Sequence, residues 1–177
     1  MKTLLITVLI LNLSFISCLS QPMPNTISSS DIINALKFAM DNVVLKKFGT
    51  KYEISTLFEN SLDETTIYKD LIGIDAFLDE SNVHYMIEQC NSMAKKEIKS
   101  YIPALYNKKL VDDYSGDKNL KHFEISAPMF SYDKKAFVLH VLSIFDVKGN
   151  TRWDRLYFVF SKKNDTWKLI GYIKQSK

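Results

Sequence analysis

The sequence has few of the residues from which common catalytic motifs are built. Only five glycines occur in 177 residues, and they form no glycine-rich phosphate loop. No Gly-x-Ser-x-Gly segment occurs, which excludes the nucleophile turn of the α/β hydrolases. The three histidines and two cysteines show no CxxC, HxxxH or HxH spacing of the kind that binds zinc. We therefore predict no catalytic residues, no metal site and no cofactor.

The chain also lacks an excess of charge of one sign. Lys and Arg together number 23 against 20 acidic residues, a formal net charge of +3. Arginine is nearly absent, because Arg152 and Arg155 are the only two, and the lysines are spread along the chain. Proteins that bind nucleic acid usually cluster their basic residues on one face. We therefore predict no nucleic-acid partner.

The first residues have the three parts of a secretory signal. Lys2 supplies a positive charge, residues 4–11 form an apolar run, and small residues surround Cys18. The run is shorter than the roughly 20 residues that a membrane-spanning helix needs. We expect residues 1–20 to be a signal peptide and residues 21–30, rich in Pro and Ser, to be a flexible tether. The protein is then exported, as a periplasmic or membrane-anchored lipoprotein or as a secreted protein.

Two endings of this leader stay open. The segment from Phe15 to Cys18 resembles the lipobox of bacterial lipoproteins, in which the cysteine becomes the lipidated amino terminus. Cys18 is thus the predicted lipidation site, and a lipid anchor would be the only contact with a membrane. Cleavage after Ser20 is the alternative, which removes Cys18 and leaves a freely secreted chain.

Helical spacing of apolar residues predicts two helices before residue 103. The first begins at Ser30-Asp31 and ends at Gly49. Asp79 or Ser81 caps the second, whose predicted buried stripe is Val83, Met86, Ile87, Cys90, Met93 and Ala94. Cys90 is accordingly predicted to be a buried thiol. Pro103 ends the helical part, residues 103–120 are predicted to be an exposed connection, and residues 51–78 show no clear pattern.

From residue 121 onward the apolar pattern alternates with a period of two, which indicates strands. The predicted strands are 122–126, 136–145, 153–160 and 167–173, joined by short turns. Pro128 places the first of them at the edge of the sheet. The predicted fold is α+β, with N-terminal helices packed on a four-stranded antiparallel meander. It forms a single domain over 31–177, with a helical part at 31–102 and the sheet at 121–174.

The last 60 residues carry a recognisable motif. Its parts are Ser126-x-Pro128-x-Phe130-Ser131, Lys135-Ala136 and Asn164-Asp165-x-Trp167-Lys168-Leu169-Ile170. In this the chain resembles small exported proteins of Bacteroidetes, lipoproteins among them. The resemblance implies a cell-envelope location, and it carries no activity and no functional residue.

The segment Arg152-Trp153-Asp154-Arg155 is the best candidate for binding. On a strand Trp153 and Arg155 share one face, and Tyr157 comes next in that row. An aromatic ring beside a guanidinium is a common contact surface for sugars and peptides. We predict Arg152, Trp153, Arg155 and Tyr157 as binding residues.

The histidines give weaker signals. His84 and Glu88 stand four residues apart on a helix, which predicts a surface pair. His140 lies in an apolar row, and we predict a core histidine with satisfied hydrogen bonds.

The pattern as a whole favours a non-enzymatic envelope protein that binds a protein, a peptide or a glycan. Two alternatives stay open. One is a small hydrolase of cell-wall or extracellular polymer, with His140 or His84 as its general base. The other is an inhibitor or immunity partner of a secreted enzyme.

Overall fold

The computed structural model describes residues 27–49, 51–59, 69, 71–72, 78–147 and 149–176. The predicted signal peptide, Cys18 and residues 21–26 of the predicted tether lie outside the described residues. None of the helices in the described ranges is long and apolar enough to cross a membrane.

The first helix, α1, spans Ser29–Ala39. Ser28 caps it through a reciprocal pair of bonds with Asp31, in which the Asp31 N–H donates to Ser28 Oγ at 3.2 Å and the Ser28 N–H donates to Asp31 Oδ2 at 2.9 Å. The helix thus begins slightly before the predicted Ser30. It continues through a π-helical turn, Met40–Val44, into α2, Leu45–Phe48. Gly49, at φ 84°, ends it as predicted.

The helix α3 spans Glu80–Met93. Asp79 caps it, because its Oδ1 accepts from the N–H of Asn82 at 2.8 Å. This confirms Asp79, one of the two predicted caps, and the predicted buried positions from Val83 to Cys90. The last two positions of the predicted stripe, Met93 and Ala94, are only partly buried. The helix ends well before Pro103, since Lys95 adopts a left-handed φ of 62° and a 3-10 turn, Ile98–Ser100, follows. A lysine in this conformation gives no sequence signal for a helix end.

The sheet confirms the α+β class but differs from the predicted meander. Its seven strands, within the described residues, are β1 Tyr52–Ser55, β2 Leu110–Val111, β3 Lys121–Ile125, β4 Met129–Phe130, β5 Ala136–Val147, β6 Asn150–Lys163 and β7 Thr166–Ser176. They are ordered β2-β1-β3-β5-β6-β7, and β4 also pairs with β5. The strand β1 runs parallel to both β2 and β3, so the sheet is mixed.

Two further predictions about the sheet were wrong. The strand β3 lies between β1 and β5 and is not an edge strand. Pro128 does not disturb it, because the proline follows the end of β3 and occupies no position in its ladder. Residues 103–120 are more than an exposed connection, since they contain a 3-10 helix, Ala104–Lys109, with Tyr106 buried, and the strand β2.

Two hairpin turns lie between the predicted strands. Gly149, at φ 83°, lies in the turn between β5 and β6. Asn164 and Asp165, at φ 50° and 58°, join β6 to β7. Two consecutive positive φ values are typical of the turn whose twist matches that of antiparallel strands.

Helices cover both faces of the sheet. On the first face α1 and the π-helical turn pack on apolar residues of β5 and β6, namely Phe137, Leu139, Val141, Leu156, Phe158 and Phe160. On the second face α3 packs on Met129, Val138, Tyr157 and Val159. The strand β5 is therefore covered on both sides near its start, as its continuous apolar run predicted.

The short strand β4 is held to α3 by one side chain. The amide of Gln89 donates from Nε2 to the carbonyl of Phe130 at 2.7 Å, and its Oε1 accepts from the Phe130 N–H at 3.0 Å. The Gln89 side chain thereby makes the same two hydrogen bonds to Phe130 that the backbone of a neighbouring strand would make.

Candidate functional site

The second face of the sheet is polar beyond the part that α3 covers. We use the name polar cluster for six side chains there: Glu53, Glu59, His122, Glu124, His140 and Arg155. The register explains why they meet. Glu124 and Arg155 are both partners of Leu142, one on each side of β5, and His122 pairs with Glu53. Alternation along each strand then brings these side chains to the same face.

Two carboxyl groups of the polar cluster are hydrogen-bonded to each other. The backbone N–H of Glu59 donates to the carbonyl of Ile125 at 3.0 Å, which holds Glu59 beside β3. The hydrogen bond between the side chains of Glu59 and Glu124, together with burial, raises the pKa of Glu124 to about 8. Two adjacent carboxylates cannot both stay ionised at low cost, so the pair shares a proton at neutral pH.

Glu53, the third acid of the polar cluster, is ionised. Burial alone would raise the pKa of Glu53, but hydrogen bonds from Ser115 and His122 outweigh it and lower that pKa. The distance from Glu53 Oε1 to His122 Nδ1 is 3.1 Å, and the Ser115 N–H donates to the same oxygen at 3.0 Å. The ring of Tyr114 packs on His122 at 5.6 Å between centroids. The other ring nitrogen of His122 lies 3.9 Å from Glu124 Oε1.

His140 lies deepest in the polar cluster. Its side chain is fully buried, and neither ring nitrogen has a hydrogen-bond partner within the described residues. The ring packs on Tyr157 with the centroids 4.9 Å apart. Burial lowers the pKa of His140 to about 3, Glu59 opposes that shift, and Arg155 adds to it. The ring is therefore neutral at physiological pH.

This finding corrects the prediction for His140. The ring is in the core, as predicted, but no described residue satisfies the hydrogen bonds of its two nitrogens. The apolar row on β5 predicted burial correctly, whereas hydrogen-bond partners depend on neighbouring strands. A general base works best when its pKa is near the operating pH, and a pKa of about 3 does not fit that role.

Arg155 is the cation of the polar cluster. Its guanidinium lies 5.6 Å from the centre of the Trp153 ring. Its Nε is buried and makes no hydrogen bond within the described residues. Asp154, its neighbour in sequence, instead pairs with Lys174 at 2.9 Å on the other face. The arginine is thus left without a carboxylate partner in the described part of the chain.

The structure brings together three of the four predicted binding residues. Trp153, Arg155 and Tyr157 form one row on the second face, running from half-exposed to fully buried. Arg152 is exposed on the first face, because adjacent residues of a strand point in opposite directions. An open recess of about 480 Å³ at the β5–β6 hairpin is lined by Asn150, Thr151, Arg152 and Trp153.

The remaining candidates lie elsewhere. His84 and Glu88 form the predicted surface pair on α3, 3.3 Å apart with both side chains exposed. Cys90 is buried as predicted, and burial raises the pKa of its thiol to about 12. The described residues include no set of three or more His, Cys, Asp or Glu side chains placed to bind a metal ion.

A separate cavity of about 500 Å³ opens at the β1–β2 edge, between Thr56, Glu97 and Asp112. No member of the polar cluster lines it. Thr56 and Asp112 bond each other there at 2.8 Å, so these two polar groups are satisfied without a ligand.

The sequence did not single out the acids of the polar cluster. Alternation in β3 places His122 and Glu124 on one face, which was visible. Their position opposite His140 and Arg155 depends on the register between strands, and Glu59 lies in a stretch without periodicity. Comparisons with family models, with curated proteins and with solved structures found no match for this chain.

Proposed function

We propose that the protein is an exported, non-enzymatic binding domain of the cell envelope. The second face of the sheet, from Trp153 inward to the polar cluster, is its binding surface, and a protein, peptide or glycan of the envelope is its partner. The observation that carries this proposal is Arg155, whose buried Nε has no hydrogen-bond partner within the described residues. A buried donor without a partner costs free energy, and a bound acceptor recovers that cost.

The surroundings of Arg155 fit such a role. Trp153 offers a half-exposed aromatic surface beside the guanidinium, and the same tryptophan lines the recess at the β5–β6 hairpin. Aromatic rings and arginines contribute most of the binding energy at many interfaces. The rest of the row runs inward along β6 to Tyr157, so one surface leads from solvent to the buried part of the face.

The location in the envelope rests on residues 1–20, which have the pattern of a signal peptide, and on the resemblance of the last 60 residues to exported proteins. We propose Cys18 as a lipidation site. Labelling with radioactive palmitate in a Gram-negative host tests this. The wild type should carry label and a Cys18→Ser variant should not. If the Cys18→Ser variant still carries label, the proposed lipid anchor is wrong. The proposed binding surface does not depend on this result.

Binding is tested with an array of peptides and oligosaccharides probed with the protein from residue 21 onward. Replacing Trp153 by Ala should weaken binding by about tenfold or more, which corresponds to about 1.4 kcal/mol. The matched control is Tyr172→Ala, because Tyr172 is an exposed aromatic residue on the adjacent strand β7 and belongs to the first face. An equal loss in both variants would contradict the proposed surface.

A further inference from the structure

The polar cluster keeps opposite charges apart. Glu124 and Arg155 flank Leu142 from either side of β5. Because neighbouring strands are about 4.8 Å apart, the two backbones are separated by about 10 Å. The two side chains do not bond each other, since Glu124 bonds Glu59 and the guanidinium of Arg155 packs on Trp153. A cation that has no carboxylate partner among the described residues and a pair of acids thus share one face.

His140 lies on the strand between them. It is two residues from Leu142 on β5 and on the same face, and its ring interacts electrostatically with both Glu59 and Arg155. A neutral imidazole offers one hydrogen-bond donor and one acceptor. Neither has a partner within the described residues, although the ring is fully buried. The polar cluster therefore offers the donors of Arg155 on β6 and the acceptors of Glu124 on β3. Between them, His140 on β5 offers one donor and one acceptor.

We propose that the polar cluster binds a small zwitterion, either an amino acid or a short peptide with a free ammonium and a free carboxylate. The ammonium bonds the pair Glu59 and Glu124, the carboxylate bonds Arg155, and His140 bonds polar atoms between the two ends. The proposal rests on the binding surface proposed above and specifies its ligand.

Charge and protonation fit this ligand. The ligand ammonium takes the place of the proton that Glu59 and Glu124 share, so binding at about pH 6.5 should release a proton. Glu59 and His122 are the titratable groups next to Glu124, and Glu59 together with Arg155 acts in turn on His140. Ordered water is the competing occupant, because buried water commonly satisfies polar groups of this kind.

The first experiment screens for binding by isothermal titration calorimetry with the protein from residue 21 onward. The probes are the common L-amino acids and the dipeptide L-alanyl-L-alanine, which distinguish a free amino acid from a peptide. Each probe that binds is compared with its N-acetylated form and with its carboxamide, which keep one charge each. We expect at least one zwitterion to bind, both capped forms to bind at least about tenfold more weakly, and proton release to appear as a dependence of the heat on the buffer.

The second experiment uses matched variants. Glu124→Gln and Arg155→Gln should each weaken binding of that zwitterion by at least about tenfold. The controls are Glu88→Gln and Lys163→Gln, which remove an exposed carboxylate from α3 and an exposed cation from the strand that carries Arg155. Circular dichroism confirms that each variant is folded before it is titrated.

Three results would overturn the proposal: none of the zwitterions binds at about 10 mM, the capped forms bind as well as the parent, or the cluster variants bind as well as the controls. Water alone would then fill the site. Array binding that depends on Trp153 would survive each of these results, so the proposed function and the proposed ligand fail separately.

Discussion

The two faces of the sheet differ in composition, although the same strands build both. On the first face β5 and β6 bury aromatic rings against each other, with Phe137 and Phe160 stacked at 4.4 Å between centroids. The second face is apolar under α3 and carries the polar cluster beyond it. Polar groups without partners reduce stability, and a protein can keep them only where other packing holds the fold. The proposed binding surface thus lies on the face whose packing is interrupted by polar groups.

The largest effect should come from the first face. Phe158 is fully buried there, so Phe158→Ala should lower the free energy of unfolding by about 3–5 kcal/mol through lost contacts and a cavity. Arg155→Gln, three residues away on the second face, should lower it by about 1 kcal/mol or less. Urea unfolding measures both. Equal losses of unfolding free energy in the two variants would show that both faces contribute equally to stability.

The pH dependence of stability tests the polar cluster without a ligand. The pKa of Glu124 is raised from 4.5 to about 8, so the folded protein holds a proton that the unfolded chain releases, and stability falls between these values. The pKa of His140 is lowered from 6.5 to about 3, so the unfolded chain binds a proton that the folded protein lacks, and stability rises with pH across that window. The two trends oppose each other between 4.5 and 6.5, and only the fall remains from 6.5 to 8.

Two variants separate these trends in urea unfolding measured from pH 3 to 9. Glu124→Gln should remove the loss of stability toward pH 8, and His140→Leu should remove the gain above pH 3. Asp31, Glu53 and Asp133 have lowered pKa values and add to the gain only in the acid range, so the difference from wild type is the quantity to compare. Superimposable profiles for wild type and both variants would refute the assigned protonation states.

At neutral pH the substitution His140→Leu should raise the free energy of unfolding by about 1–2 kcal/mol. It removes two buried ring nitrogens that have no partner among the residues that the structure describes, and it keeps a similar side-chain volume. The same variant should lose affinity for the zwitterion. If His140 is kept for binding and not for packing, its replacement should raise stability and lower affinity together. A destabilised variant would instead mean that the ring has partners in solution.

The smallest effect on stability should come from an exposed side-chain pair on α3 that lies on neither face of the sheet. His84 and Glu88 are both exposed on α3, and His84→Ala should change the free energy of unfolding by less than about 0.5 kcal/mol. Thermal melts at low and high salt are sufficient to measure this. A larger or salt-independent change would place His84 in a contact beyond this pair.

Local patterns predicted the local parts of the fold. The caps at Asp79 and Gly49, the stripe of α3 as far as Cys90 and the turns at Gly149 and Asn164 each depend on neighbouring residues, and the structure confirms them. The fold class followed from these parts. The end of α3 was missed because Lys95 takes a conformation that usually marks glycine.

Long-range pairing accounts for most of what the sequence could not predict. The strands β1 and β2 have four and two residues, too few for an alternating pattern, and they pair with strands far along the chain. The polar cluster was missed for the same reason. His140, Trp153 and Arg155 were visible as candidates, whereas Glu59 and Glu124 became part of a site only through the register of β3 with β5.

The amide of Gln89 has a consequence for association between molecules. A short strand such as β4 normally exposes an unbonded backbone edge, at which another chain can add and start aggregation. Here one side chain occupies both the N–H and the carbonyl of Phe130. An incoming strand would first have to displace α3, so self-assembly at this border of the sheet is blocked for as long as that helix stays docked.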